Sequence, residues 1–145
     1  MKNKNLKIYF AASIRGGRGD SDLYKELIDY LKGFGEVLSE HIGDKSLTQK
    51  GSKGSERGIH DEDLKWLFMS DVVVAEVTNP SLGVGYEIRA ALEKGKKILT
   101  LYRLSEGKKL SAMIKGSPEV DNFNYKDVEE AKSIIRNYFE NELHN

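Results

Sequence analysis

Asp63 and Glu87 are the residues of this 145-residue chain whose type and setting best suit chemistry. Two carboxyl groups at one site can cleave a glycosidic bond: one attacks or stabilises the cationic sugar carbon, and the other handles the proton. Glu87 follows Gly83-Val84-Gly85-Tyr86, where two glycines let a ligand approach the backbone closely. Asp63 ends the acidic trio Asp61-Glu62-Asp63. Each has a plainer reading. Acids at a helix start complement the helix dipole, and small residues also serve helix–strand packing.

A second set of residues suits an anion. Ser13-Ile14-Arg15-Gly16-Gly17-Arg18-Gly19-Asp20 offers backbone N–H groups, a hydroxyl and arginines before a helix. Such N–H groups suit a phosphate, and arginine adds a planar donor fork. The stretch lacks the Gly-Lys-Ser/Thr ending of a P-loop, and its glycines do not fall as Gly-x-Gly-x-x-Gly. The alternative is a flexible turn with solvated arginines. Ser81 is placed to cap the helix after it, alone or while also binding a phosphate. His41 and His60 are acid–base groups, ligands or structural residues, and the three histidines lack metal-ligand spacing. No metal and no cofactor is expected. Tyr9 belongs to a strand core, yet it sits just before the glycine-rich loop, so its hydroxyl can reach a site there.

The elements that must position these groups follow from hydrophobic spacing. Residues 71 to 95 form the organising unit. Asp71 to Thr78 is an apolar, β-branched run, Asn79-Pro80-Ser81 breaks it, and Val84, Ile88, Ala91 and Leu92 recur at helical spacing until Gly95. Leu6–Ala12 predicts a first strand, and Asp22–Lys32 a helix capped by Asp20 or Ser21. Glu36–Ser39 predicts a second strand with Glu40-His41-Ile42 at its exit. Gly43–Gly58, rich in glycine, lysine and serine, predicts a mobile surface loop, a lid or a segment with no role. Ile59–Met69 predicts a helix, Lys96–Tyr102 a strand, Arg103–Lys109 a basic turn and Leu110–Ile114 a short helical turn. Asn122–Tyr125 predicts an edge strand and Val128–Glu142 a closing amphipathic helix. Alternating strands and helices imply an α/β fold in three layers: a flavodoxin-like or Rossmann-like five-stranded parallel sheet with helices on both faces. Ser13, Arg15, His41, Asp63, Ser81 and Glu87 then converge at the carboxyl edge of that sheet, where open α/β sheets bind ligands.

Composition narrows the classes. The length predicts one domain spanning residues 1 to 145. Its 23 basic and 23 acidic residues cancel, which disfavours a general binder of nucleic-acid polymers. There is no cysteine, hence no disulfide and no thiolate nucleophile, in keeping with a cytoplasmic location. The chain offers no expected signal peptide or spanning segment, so no membrane partner is expected.

Taken together, the segments resemble the 2′-deoxynucleoside 5′-phosphate N-hydrolases of the nucleoside 2-deoxyribosyltransferase superfamily. The motifs that carry the resemblance run in order over nearly the whole chain. They are Ile8-Tyr9-Phe10 with Ser13-Ile14-Arg15-Gly16-Gly17-Arg18; Glu40-His41; Ile59-His60 with Asp63-Leu64 and Trp66-Leu67; the run Asp71 to Thr78; Pro80-Ser81-Leu82-Gly83-Val84-Gly85-Tyr86-Glu87; and Leu110-Ser111-Ala112-Met113-Ile114. The resemblance implies hydrolysis of the N-glycosidic bond of a 2′-deoxynucleoside 5′-monophosphate to a free base and 2-deoxyribose 5-phosphate. It implies Glu87 as the nucleophile on the anomeric carbon, with configuration retained. Asp63 would orient the substrate and serve proton delivery to the base, and Tyr9 would position the nucleophile and sugar. Ser13, Ile14, Arg15 and Gly16 would hold the substrate, and Ser81 the phosphate, with Gly83 clearing space beside the sugar. His41 would lie near the base. In a homodimer, Ser111 would reach the phosphate from the neighbouring subunit, and Met113 is counted among the substrate-binding residues. Three alternatives stand beside this reading: a nucleoside 2-deoxyribosyltransferase, a ribonucleoside monophosphate N-glycosidase, and a catalytically silent nucleotide sensor. The preferred base stays open, because Ala11-Ala12 and Gly43–Gly58 depart from the family pattern.

Overall fold

The computed structural model of the chain describes residues 5–13, 20–38 and 55–143. Five strands form one parallel sheet: β1 (Lys7–Ala12), β2 (Glu36–Val37), β3 (Val72–Glu76), β4 (Lys97–Arg103) and β5 (Asp121–Tyr125). Their spatial order is β2-β1-β3-β4-β5, the flavodoxin-like order expected from the sequence. β1 runs beside β3 in a register that pairs Tyr9 with Val73 and Ala12 with Glu76.

The period of two along each strand divides the core. Ile8, Phe10, Val72, Val74, Leu99 and Leu101 meet helices α1 (Ser21–Leu31) and α5 (Val128–Asn137) on one face. Tyr9, Ala11, Val73, Ala75 and Ile98 meet α2 (Glu56–Met69) and α3 (Leu82–Glu93) on the other. A one-turn helix, α4 (Ala112–Lys115), follows β4. Among the described residues no helix is long and apolar enough to cross a membrane.

Several boundaries differ from the sequence expectation. The expected loop 43–58 ends earlier, because α2 already begins at Glu56; Ser55 caps it by accepting the Gly58 N–H at 3.0 Å. The rest of that loop, residues 43–54, lies outside the described residues, as does the exit of β2 with His41. The closing helix does not run evenly to Glu142: it loosens into a π-helical turn over Tyr138–Glu142. Asp20 precedes α1, yet its side chain makes no capping hydrogen bond. It is engaged elsewhere, by Arg103 and Asn79. Arg103, expected in a turn, is the last residue of β4.

Candidate active site

Tyr9 carries the geometry of the site. Its place on β1 turns the ring toward α2 and α3, where it is 1 % exposed. From there its hydroxyl donates to Glu87 Oε2 at 2.5 Å, joining residues 78 positions apart. Glu87 reaches this point because α3 starts at Leu82 and lays Val84, Ile88 and Ala91 on the sheet. That leaves Glu87 on the flank facing Tyr9. Gly95, at φ 69°, then ends the helix in a conformation that suits glycine.

Burial pushes the Glu87 carboxyl up to about 7, the Tyr9 hydrogen bond opposes the rise, and the charge of Asp63 adds to it. Burial, then the charges of Glu87 and Asp63, hold the Tyr9 phenol far above its usual range, so it stays a neutral donor. Asp63, half-buried on α2, therefore acts on both members of the pair. The fold thus brings two carboxyl groups and a phenol, drawn from β1, α2 and α3, into one neighbourhood. A carboxylate partly stripped of water and held by a phenol donor is a competent nucleophile, and its ionisation falls near neutral pH.

The raised Glu87 carboxyl has a consequence for stability. The folded protein holds this proton up to about pH 7, whereas the group's unperturbed value is 4.5. Between those values the folded state binds more protons than the unfolded chain, so this group's contribution to stability falls as pH rises through that window. Glu87→Gln removes the titration while keeping an acceptor for Tyr9. The variant gains on the wild type from pH 4.5 to 7 and ends about 1–3 kcal/mol more stable at neutral pH. Urea unfolding of both proteins across that range checks this; parallel curves contradict it.

Beside the start of α3 lies a cavity of about 580 Å³, whose wall includes Ser81, Gly85, Tyr102, Lys109, Ser111 and Met113. Ser81 caps α3 by accepting the Val84 N–H at 3.2 Å. Ser111 caps α4 by accepting the Met113 N–H at 3.2 Å. Packing does not explain the glycines here. A Cβ on Gly85 would meet nothing within 4 Å, and one on Gly83 would meet only the Ser81 hydroxyl at 3.8 Å. Gly85 lies within α3, where glycine costs about 1 kcal/mol relative to alanine.

Ser13 is buried at the end of β1. Ile14, Arg15, Gly16 and His41 lie outside the described residues. His60, named in the sequence as a candidate, bridges the two helices of the site: its ring nitrogens lie 2.9 Å from Asp61 Oδ1 and 3.0 Å from the Tyr86 hydroxyl. Sequence reasoning passed over Glu76, a carboxylate with no exposed surface at the end of β3. The signal was a lone charge inside the run Val72 to Val77. Among the described residues, no group of three or more histidines and acids stands where it could hold a metal ion.

Comparison with known proteins identifies the family, and a solved structure shares the fold. The nucleoside 2-deoxyribosyltransferase family model matches residues 8–138. A Danio rerio protein named 5-hydroxymethyl-dUMP N-hydrolase is 48% identical over 138 residues, covering 93% of this chain and 96% of its own length. The Homo sapiens protein of the same name is 47% identical over 137 residues, covering 92% of this chain and 79% of its own. In fold, the structure resembles the Clostridium botulinum CMP N-glycosidase BcmB, with a TM-score of 0.65 at 22% identity over 91% of this chain and 98% of that one. With Tyr9, Asp63 and Glu87 set on the matched span, the chain belongs to the nucleoside 2-deoxyribosyltransferase family.

Proposed function

We propose that the protein hydrolyses the N-glycosidic bond of 2′-deoxynucleoside 5′-monophosphates, releasing the base and 2-deoxyribose 5-phosphate. The observation that carries this reading is the Tyr9–Glu87 hydrogen bond beside Asp63. Glu87, ionised, attacks the anomeric carbon; the departing base takes a proton in a path served by Asp63; water then releases the sugar from Glu87. Tyr9 keeps the attacking carboxylate in one orientation. A 2-deoxy sugar lacks the electron-withdrawing 2-hydroxyl, so the cationic transition state forms readily at a carboxylate alone. The names of the Danio rerio and Homo sapiens relatives support a hydrolase over a transferase and point to 5-hydroxymethyl-dUMP as one substrate.

The phosphate falls to Ser81 and the free N–H groups at the start of α3, with the open space at Gly83 and Gly85 receiving the sugar phosphate. Ser13, Ile14, Arg15 and Gly16 hold the rest of the nucleotide, and His41 lies near the base. The acting form is a cytoplasmic homodimer in which Ser111 of one subunit reaches the phosphate of the other, and Met113 lines the substrate site. Leu82, 96 % exposed, and Met113, 82 % exposed, supply apolar surface for such a contact. Within one chain Ser111 also borders the cavity that Ser81 borders, so subunit mixing is the deciding test.

A panel of deoxy- and ribonucleotides and their nucleosides, followed by chromatography of free base, tests the main reading. Release from deoxynucleotides without an acceptor base is expected. Base exchange alone identifies a transferase, release from ribonucleotides alone a ribonucleotide glycosidase, and binding without release a sensor. Ser81→Ala and Ser111→Ala each lower the preference for nucleotide over nucleoside by about tenfold, the worth of one hydrogen bond to a charged group. An unchanged preference removes their phosphate role. Mixed dimers of Ser111→Ala and Glu87→Ala chains regain activity if Ser111 acts in trans; no recovery after demonstrated subunit exchange places it in cis.

A further inference from the structure

The Tyr9, Asp63 and Glu87 site leaves one buried acid unused. Glu76 is enclosed at the carboxyl end of β3, and burial pushes its carboxyl up. Three donors converge on it. The Thr78 N–H donates to Oε1 at 3.1 Å, while the Thr78 hydroxyl at 2.5 Å and the Tyr125 hydroxyl at 2.6 Å donate to Oε2. Thr78 Oγ1 in turn accepts the backbone N–H of Arg103 at 2.9 Å. One residue further on, Asn79 Nδ2 donates to Asp20 Oδ2 at 3.0 Å and to the Tyr24 hydroxyl at 3.3 Å. Asp20 also receives the Arg103 guanidinium as a fork, at 3.3 and 3.1 Å. The same aspartate leaves the start of α1 uncapped to do so.

These bonds meet on two consecutive residues, Thr78 and Asn79, which lead through Pro80 into Ser81 and α3. The strand that supplies Glu76 would be more simply built from another valine. A buried acid costs stability unless each oxygen is paired, and here both are. What the network obtains is a turn held from three sides: by its own strand, by β4 and β5, and by the start of α1.

We propose that Glu76 and Asp20 are positioning residues, which fix the turn Val77–Ser81 so that Ser81 and the first N–H groups of α3 stand ready for the 5′-phosphate. The proposal rests on the phosphate reading given above. It assigns neither residue contact with the substrate; both act through Thr78 and Asn79. Fixing the turn in advance spares the ligand the cost of ordering it, so the effect belongs to phosphate affinity rather than to the bond-breaking step.

The test uses the full chain, with inorganic phosphate as the probe and backbone amide resonances of residues 81–85 as the readout. In the wild type these amides shift on titration. Asp20→Ala weakens phosphate about tenfold, the size of one or two lost hydrogen bonds, and Asp20→Asn, which keeps an acceptor for Asn79, recovers part of the loss. Glu76→Gln shifts affinity in the same direction. With the deoxynucleotide that the wild type cleaves, the KM of Asp20→Ala rises by a similar factor while kcat stays within about twofold. If Glu76→Gln does not fold, the Asp20 pair alone decides, since that side chain sits nearer the surface. Equal phosphate affinity in folded Asp20→Ala and wild type overturns the proposal, as does a fall in kcat without change in KM. Wild-type amides that ignore phosphate overturn it together with the phosphate role of Ser81, while base release, measured separately, still reports on the hydrolase reading.

Discussion

Glu87→Ala releases base from deoxynucleotides at least about ten-thousand-fold more slowly than the wild type, because the bond-forming carboxylate is gone and no neighbour replaces it. Asp63 is held on α2, and the Tyr9 phenol is a poor nucleophile while burial and the two acids keep it protonated. The loss is chemical rather than structural. Removing the side chain leaves the buried Tyr9 hydroxyl without its acceptor, a cost of about 1–3 kcal/mol. It also relieves the fold of a carboxyl that burial disfavours in its charged form. The two changes oppose each other, so the variant stays folded, and circular dichroism with single-turnover base release separates the outcomes. A folded Glu87→Ala protein with wild-type turnover excludes Glu87 as the nucleophile.

Asp63→Asn has the second largest effect, and it carries its own signature. Loss of proton delivery to the base lowers kcat by about 10²–10⁴-fold. The charge of Asp63 also helps to hold the proton on Glu87. Without that charge the Glu87 carboxyl ionises at lower pH. The acidic limb of the kcat/KM profile, near pH 7 in the wild type, therefore moves down in Asp63→Asn even as its height falls. Substrates whose base leaves readily without a proton lose less than those whose base needs one. Profiles for two such nucleotides check both points. A limb that stays in place uncouples Asp63 from Glu87, and equal losses for both bases remove its role in protonation.

How much of this was legible in the sequence depends on how far each signal reaches along the chain. The strand, turn and helix of residues 71 to 95 were legible because an apolar run followed by three- and four-residue spacing is local information. The parallel sheet followed from alternating strands and helices, and the flavodoxin-like order is a common arrangement of five such strands. Tyr9 was placed within reach of the site because its strand runs into the glycine-rich loop. The direct bond to Glu87 needed the register of the sheet, which brings the two together across 78 residues. The start of α2 was hidden because its cap, Ser55, sits in a stretch of glycine, lysine and serine that reads as loop throughout. Arg103 read as turn because the apolar pattern stops at Tyr102; its strand position is set by pairing with Tyr125. Asp20 read as a helix cap because aspartate before a helix usually is one. Its true partner, Arg103, stands 83 positions away, and no local spacing announces it. Glu76 was overlooked for the same reason: the hydroxyls of Thr78 and Tyr125 that make its burial tolerable belong partly to another strand.

The central claim is that Glu87 attacks the anomeric carbon from the face opposite the base, and the configuration of the product tests it most directly. The released sugar phosphate equilibrates between anomers in water, so the measurement is made with methanol as a competing acceptor. The methyl 2-deoxyriboside 5-phosphate that results is stable, and its anomer is read by proton NMR. Two displacements, the first by Glu87 and the second by methanol, predict the β-anomer from a β-nucleotide. The α-anomer means a single displacement, with Glu87 acting on an attacking water or methanol instead of on the sugar, and contradicts the account.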